Sequence, residues 1–223
     1  MGAYVGLLRY FHKGVLHKAE EMGYSEPNLL ILAGDEQSLR SKYPNVWDAL
    51  LSCKHHRDHR SPIAYGRDLV ASWVFEDCII SSLCEGGIDA QHGGSDCDRQ
   101  VLYKDGVTAN SDVKIIVGDN TIPIEIMCDY TGWWTANGRI DLRDNKYSKL
   151  KESKSLFLGF STTDNILIVM DFSKDITYEY FEYYTPYGGK PAYSIEIPRD
   201  SIYQFEIPLM VDIVKSICLS RST

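Results

Sequence analysis

Three carboxylates occupy positions where a carboxylate needs a partner. Asp112 opens one apolar run, Glu125 interrupts a second apolar run, and Glu76 lies within a helical pattern. A carboxylate that faces a protein core costs several kcal/mol unless a cation or hydrogen-bond donors meet it. Their positions therefore indicate ion pairs or metal ligands.

Glu76 falls at the centre of an apolar stripe. At about 100° per residue, the stripe of the predicted helix consists of Leu69, Trp73, Ile80 and Leu83. One interpretation is that Glu76 pairs with an arginine, or that the helix is rotated and exposes it. The other is that it points at a metal site.

The other two carboxylates alternate with apolar residues in predicted strands. In the first strand Asp112 and Lys114 share the polar face, opposite Val113 and Ile115. In the second, Glu125, Met127 and Asp129 lie opposite an apolar face made by Ile122, Ile124, Ile126 and Cys128. An aspartate that opens a strand is also typical of a turn, and Glu125 is also compatible with a half-exposed, solvated strand.

A tight turn joins these two strands, so a hairpin would bring Asp112 and Glu125 within several ångströms of each other. Two carboxylates at that distance repel unless a cation joins them. Oxygen ligands suit Mg²⁺, which keeps several waters.

The elements that position these residues follow a recognisable order. The first 50 residues are predicted to be helical with a break near Glu26 and Pro27, and a helix covers about Gly66 to Glu85. The later elements are three extended runs (99–103, 112–117 and 121–129), a helix (144–155), two strands (156–160 and 166–172), a tyrosine-rich ribbon and a helix (209–219). This mixture without strict βαβ alternation predicts an α/β fold with a mixed sheet.

The pattern resembles the PD-(D/E)XK nucleases, specifically the orthodox type II restriction endonucleases, over residues 66–172. Their core is a helix, a three-stranded meander, a helix and a strand, so the resemblance implies a restriction-endonuclease-like core. Glu76 matches the acid of the first helix, Asp112 the acid that opens the second strand, and Glu125 the (D/E)XK acid thirteen residues later. The segment 94–99 (Gly-Ser-Asp-Cys-Asp-Arg) is a looser match. The resemblance predicts one nuclease domain over 1–223, with an N-terminal helical segment (1–65) and a C-terminal ribbon and helix (173–223).

The resemblance implies Mg²⁺-dependent hydrolysis of a specific double-stranded DNA sequence by a homodimer on a palindromic site. The expected metal ligands are Asp112, Glu125, the Ile126 carbonyl and Glu76. Three alternatives stay open: a catalytically degenerate DNA-binding subunit of the same fold, a repair or junction nuclease of the superfamily, and an unrelated α/β enzyme. The recognition sequence, the cut position and the overhang do not follow from one chain.

Position 127, where the family has its lysine, is methionine. That lysine helps to position and activate the attacking water, and some members recruit one from a neighbouring element. Lys146, at the start of the helix after the catalytic strand, is the expected substitute, and Lys114 is the second candidate. Lys146 is also compatible with an ordinary solvated helix lysine.

DNA contacts are expected outside the core. The basic segment near 54–60 offers Lys54, His55, His56, Arg57 and Arg60, for phosphates or guanine edges. Arg139 and Arg143 flank the catalytic strand. The basic segment could equally be a solvated loop or, through its histidines, a metal site. Trp133 and Trp134 could stack on bases, seal a dimer or pack in the core, and the tyrosine ribbon could serve dimerisation or DNA.

The composition restricts the class of protein less closely than the motifs do. The chain has 223 residues, a net charge of −8 and six cysteines without a CxxC pair, which predicts reduced thiols and argues against a general nucleic-acid coating protein. Neither a signal peptide nor a run of 18 apolar residues stands out. A cytoplasmic protein without membrane contact is therefore expected.

Overall fold

The structure, a computed structural model, describes residues 11–53, 60–108 and 110–221. The chain forms two compact units. The first comprises the residues up to Ser81 together with His92–Asn110, and the second comprises Ser82–Gln91 and the chain from Ser111 onward. These boundaries differ from the predicted segment boundaries at 65/66 and 172/173. That the whole chain acts as one nuclease domain stays a prediction.

Helices dominate the first unit, as the sequence predicts for this segment. They are α1 (Phe11–Glu21), α2 (Glu26–Ala33), α3 (Glu36–Lys42), α4 (Pro44–Ser52) and α5 (Pro62–Glu85), the last of which ends in the second unit. The predicted break near Glu26 is the start of α2, where Pro27 occupies the first turn because its missing N–H has no partner there in any helix. Helix α5 begins four residues before the predicted Gly66 and ends at the predicted Glu85.

A six-stranded sheet forms the centre of the second unit. Its strands are β1 (Asp89–His92), β2 (Val113–Val117), β3 (Asn120–Asp129), β5 (Leu156–Ser161), β6 (Ile166–Asp171) and β9 (Ile202–Gln204), in the order β1-β2-β3-β5-β6-β9. Strands β3 and β5 are parallel, whereas β2 with β3, β5 with β6, and β6 with β9 are antiparallel. The predicted α/β class with a mixed sheet is confirmed.

The predicted first strand of the meander was wrong. Residues 99–103 form no strand, and the sheet neighbour of β2 is β1, which precedes them. The physical reason is local: the Arg99 N–H donates to the Asp96 carbonyl at 2.8 Å, and Arg99 adopts a φ of 55°, which an extended strand excludes. A 3₁₀ turn at Lys104–Gly106 follows.

A second, three-stranded sheet has the order β4-β8-β7, with β4 at Arg139–Arg143, β7 at Tyr178–Tyr184 and β8 at Lys190–Glu196. Strands β7 and β8 are the predicted tyrosine ribbon. Strand β4 escaped prediction because five residues alternate too briefly to separate a strand from a loop. The remaining helices are α6 (Trp133–Asn137), α7 (Asp144–Glu152) and α8 (Ile207–Ser220), the last two close to the predicted bounds.

The core of the second unit contains side chains from both of its sheets and from its helices. Every residue of β5 is buried, which is typical of a strand that is covered on both faces. Buried side chains from β4, β5, β6, α7 and β8 form one hydrophobic cluster. Among the described residues, no helix combines the length and the apolarity needed to cross a membrane.

Candidate functional site: a carboxylate pair and a lysine

Asp112 and Glu125 lie beside each other in the second unit, as the predicted hairpin requires. Val113 pairs with Ile124 in the antiparallel register, so Asp112 stands next to Glu125 at the start of β2. The Asp112 carboxylate accepts a hydrogen bond from the Ile126 N–H at 2.8 Å. This bond anchors the aspartate to the strand that carries the glutamate.

The Lys146 ammonium donates to Oε1 of Glu125 and forms an ion pair with it. The Glu125 side chain is only 6% exposed, whereas that of Lys146 is 35% exposed. The first turn of α7 thus lies beside Glu125, and it is the turn in which the sequence predicts a substitute lysine. Lys114, the second candidate, is exposed on β2.

Two apolar residues of α7 hold Lys146 in place. Tyr147 and Leu150, three residues apart, are buried in the cluster. The Tyr147 ring stacks on Tyr193 of β8 at 3.9 Å between centroids, and burial raises the pKa of its hydroxyl to about 12. The helix is therefore fixed against the second sheet, and Lys146 projects from its anchored first turn.

Met127 occupies the position at which the PD-(D/E)XK nucleases have a lysine, and its surroundings explain the apolar residue. Met127 packs against the same hydrophobic cluster as Tyr147 and pairs in register with Gly159 of β5. An ammonium packed against this cluster would lose part of its hydration. The positive charge comes from α7 instead.

A further carboxylate of β3, Asp129, has a structural role. One oxygen accepts from the N–H and hydroxyl of Thr131 at 2.8 and 2.7 Å, and the other accepts from the Trp134 N–H at 2.9 Å. These bonds shape the loop into α6. Trp134 is buried against Phe157, so of the three predicted roles it takes core packing, while Trp133 is 39% exposed.

The donor set of the pair suits a hard divalent cation. Asp112, Glu125 and the Ile126 carbonyl offer oxygen alone, and the buried position of Glu125 makes a cation its expected partner. In the described parts of the chain, no group of three or more His, Cys, Asp and Glu side chains is arranged to hold a metal. Mg²⁺ needs no such group, since it commonly binds one or two carboxylates and keeps several waters.

Glu76 lies in the first unit, within a buried charge cluster. The Arg99 guanidinium donates to Glu76 at 3.0 Å through Nη1 and to Asp77 at 2.9 Å through Nε. The Tyr24 hydroxyl also donates to Asp77, and the Trp73 indole N–H donates to Asp96. Pairing with an arginine was one of the two interpretations of Glu76. Its role as a metal ligand stays a prediction.

The apolar stripe could not decide between these interpretations, because α5 is buried on most of its sides. Val70, Val74, Phe75 and Ile79 are buried, as are Trp73, Ile80 and Leu83 of the stripe. The usable signal was the charged segment 94–99, which supplies both Asp96 and Arg99 to the cluster.

The cluster makes stability depend on pH. Burial, together with the nearby Asp96 and Asp77 carboxylates, raises the pKa of Glu76 to about 7 against the opposing effect of the Arg99 guanidinium. Because the folded state then holds a proton that the unfolded state releases above its ordinary pKa, the contribution of Glu76 to stability is greatest below about pH 4.5 and is lost as pH rises to about 7.

We expect Glu76→Gln to remove this dependence. Relative to the parent, the variant should gain up to about 3 kcal/mol of unfolding free energy between pH 5 and pH 8, as measured by urea unfolding at both values. Glu152→Gln on α7 is the matched control and should change neither value. A Glu76→Gln variant that loses stability equally at both pH values would assign the pair with Arg99 a net stabilising role.

Three of the predicted DNA-contact arginines have different surroundings. Arg60 pairs with Asp68 at 2.5 Å, and Arg139 pairs with Glu179 at 2.9 Å and with Glu196 at 3.8 Å. Arg143 makes no ion pair with any described residue. Lys54, His55, His56 and Arg57 lie outside the described residues.

Arg143 is instead held by an aromatic ring. Its guanidinium lies 5.3 Å from the centroid of Tyr187, whose hydroxyl donates to the Asp141 carbonyl at 2.7 Å. It directly precedes α7, three residues before Lys146. An oriented, exposed guanidinium at this place is well suited to a phosphate.

Neither a scan against protein-family models nor a search of curated proteins finds a match for this sequence. The carboxylate pair, Lys146 and the motif spacing therefore carry the functional inference.

Proposed function

We propose that this protein is a Mg²⁺-dependent deoxyribonuclease of the PD-(D/E)XK type, and specifically a type II restriction endonuclease. It would hydrolyse phosphodiester bonds within a specific double-stranded DNA sequence, as a cytoplasmic homodimer on a palindromic site. The observation that carries the proposal is the meeting of Asp112, directly before β2, and Glu125, within β3, with Lys146 from α7.

Phosphodiester hydrolysis needs three things that this constellation can supply: a nucleophilic water, neutralisation of charge on the phosphate, and help for the leaving oxygen. Asp112, Glu125 and the Ile126 carbonyl would hold the cation. When bound, Mg²⁺ supplies Lewis-acid polarisation of the phosphate and lowers the pKa of water. Mixed-sheet strands position both acids, so no loop needs to close to assemble them.

Lys146 stabilises negative charge that develops on the phosphate, a contribution of a few kcal/mol in comparable sites. Its position beside Glu125 answers the main difficulty of the motif, the methionine at position 127. Arg143 binds a neighbouring phosphate and positions the duplex. For Glu76, which belongs to the first unit and pairs with Arg99, a role as ligand or orienting group stays a prediction of the resemblance alone.

Incubation of the protein with a sequenced plasmid and Mg²⁺ tests the proposal. Discrete bands that disappear with EDTA are the expected result. Structure-selective cutting of branched DNA without discrete plasmid bands would instead identify a junction or repair nuclease. Specific binding without any cleavage would identify the degenerate DNA-binding subunit. The absence of both binding and cleavage would refute the whole proposal.

The two arginines of β4 provide a matched pair for DNA binding. We expect Arg143→Ala to weaken DNA affinity by about 10- to 100-fold, a loss of one charge-assisted phosphate contact. Arg139→Ala should change it by less than about threefold, because its charge is already paired with Glu179. Fluorescence anisotropy of a labelled duplex in Ca²⁺ measures both. Equal losses in the two variants would contradict the role of Arg143.

A further inference from the structure

Glu125 has a counterion of its own within the chain. The carboxylate is buried, and the Lys146 ammonium meets its Oε1 atom. A buried carboxylate left without a cation is strongly unfavourable. The Lys146 ammonium therefore neutralises the Glu125 carboxylate, which is what the proposed function expects of Mg²⁺.

A divalent cation on Glu125 would lie within a few ångströms of this ammonium. Like charges so close repel strongly where water is largely excluded. We infer that Lys146 is an internal counterion that the metal must displace from Glu125, and that this displacement makes the ammonium available to the scissile phosphate. The inference rests on the proposed metal site.

The local structure allows the ammonium to move while the helix stays in place. Tyr147 and Leu150 anchor α7 in the core, whereas the Lys146 side chain is about one-third exposed and has a flexible four-carbon stem. Metal loading and lysine positioning are thereby coupled without a change of fold. A lysine at position 127 would lack this freedom, because that side chain packs in the hydrophobic cluster.

Comparison of Lys146→Met with Lys149→Met tests the inference. Both substitutions remove one positive charge from the same helix and keep an unbranched apolar stem. Mn²⁺ binding is followed by electron paramagnetic resonance of the free ion, and Mg²⁺ binding by the rise in melting temperature. Neither measurement requires cleavage or DNA.

The expected result is that Lys146→Met binds Mn²⁺ at least about tenfold more tightly than the parent. It should also melt at a lower temperature than the parent in metal-free buffer and recover more on addition of Mg²⁺. Lys149→Met should match the parent in metal affinity to within about twofold. Lys146→Arg, which keeps the charge, should bind Mn²⁺ like the parent and serves as the reference if Lys146→Met folds poorly.

Three outcomes overturn the inference. If the parent binds Mn²⁺ and Lys146→Met binds it equally or more weakly, the counterion role fails while the proposed metal site stands. If Lys149→Met gains as much affinity as Lys146→Met, the effect is one of general charge. If the parent, Lys146→Met and Lys146→Arg all fail to bind Mn²⁺ or Mg²⁺, the metal site fails and the inference fails with it.

Discussion

Replacing Glu125 by glutamine, or Asp112 by asparagine, is expected to lower Mg²⁺-dependent DNA cleavage by about a thousandfold or more. Loss of a group that only hydrogen-bonds a metal ligand already costs about 10- to 100-fold, and these two carboxylates are the proposed ligands themselves. Alanine at either position should be equally inactive. Cleavage is measured under single-turnover conditions with excess protein over a saturating range of Mg²⁺.

The amide variants separate chemistry from folding. Asparagine at 112 can still accept the hydrogen bond from the Ile126 N–H, and glutamine at 125 can still accept from Lys146. Their melting temperatures in metal-free buffer should therefore stay close to that of the parent. Glu152→Gln, on the last turn of α7, is the control that should cut normally. Near-normal cleavage by Asp112→Asn or Glu125→Gln would remove that residue from the metal site, and a large fall in melting temperature would indicate a structural ion pair.

Lys146→Ala is expected to slow single-turnover cleavage by about tenfold to a thousandfold at saturating Mg²⁺, on the order of 1.4 to 4 kcal/mol of transition-state stabilisation. The physical reason is that the Lys146 ammonium contacts the Glu125 carboxylate directly, beside the proposed position of the phosphate. Lys114→Ala, on the exposed part of β2, should cut at close to the parent rate. Because Mg²⁺ is saturating, the tighter metal binding expected when residue 146 is uncharged does not mask the loss.

Comparison of Lys146→Ala with Lys114→Ala shows which lysine replaces the one expected at position 127. A large loss in Lys114→Ala with a parent-like Lys146→Ala would transfer the role to β2. If both variants cut at the parent rate, the site works without a lysine, and the proposed catalytic role of Lys146 is wrong. If Lys146→Arg cuts at close to the parent rate whereas Lys146→Ala does not, the site requires a positive charge more than it requires proton transfer.

Local periodicity was sufficient for the carboxylate pair. Alternation within residues 112–117 and 121–129, joined by a short turn, already implies that Asp112 and Glu125 share one face of a hairpin, and the register agrees. The same holds for the bounds of α7 and α8 and for the tyrosine ribbon. These features depend on neighbours a few residues apart, which is the range over which a sequence pattern is informative.

Long-range partners were decided by the tertiary structure. The sequence left Glu76 between an arginine and a metal, and Arg99, 23 residues away, was found as its partner only in the folded unit. Strand β4 becomes a strand because β8, about 50 residues later, pairs with it. The sequence of residues 99–103 predicts a strand. The left-handed backbone of Arg99 and its buried ion pairs prevent one.

Lys146 shows both contributions in one residue. The sequence alone determined that a helix begins near Asp144 and carries a lysine in its first turn. Only the packing of Tyr147 and Leu150 against the second sheet decided that this lysine reaches Glu125. A residue's periodicity is a local property of the chain, whereas the partner of a charge depends on which surfaces the hydrophobic core brings together.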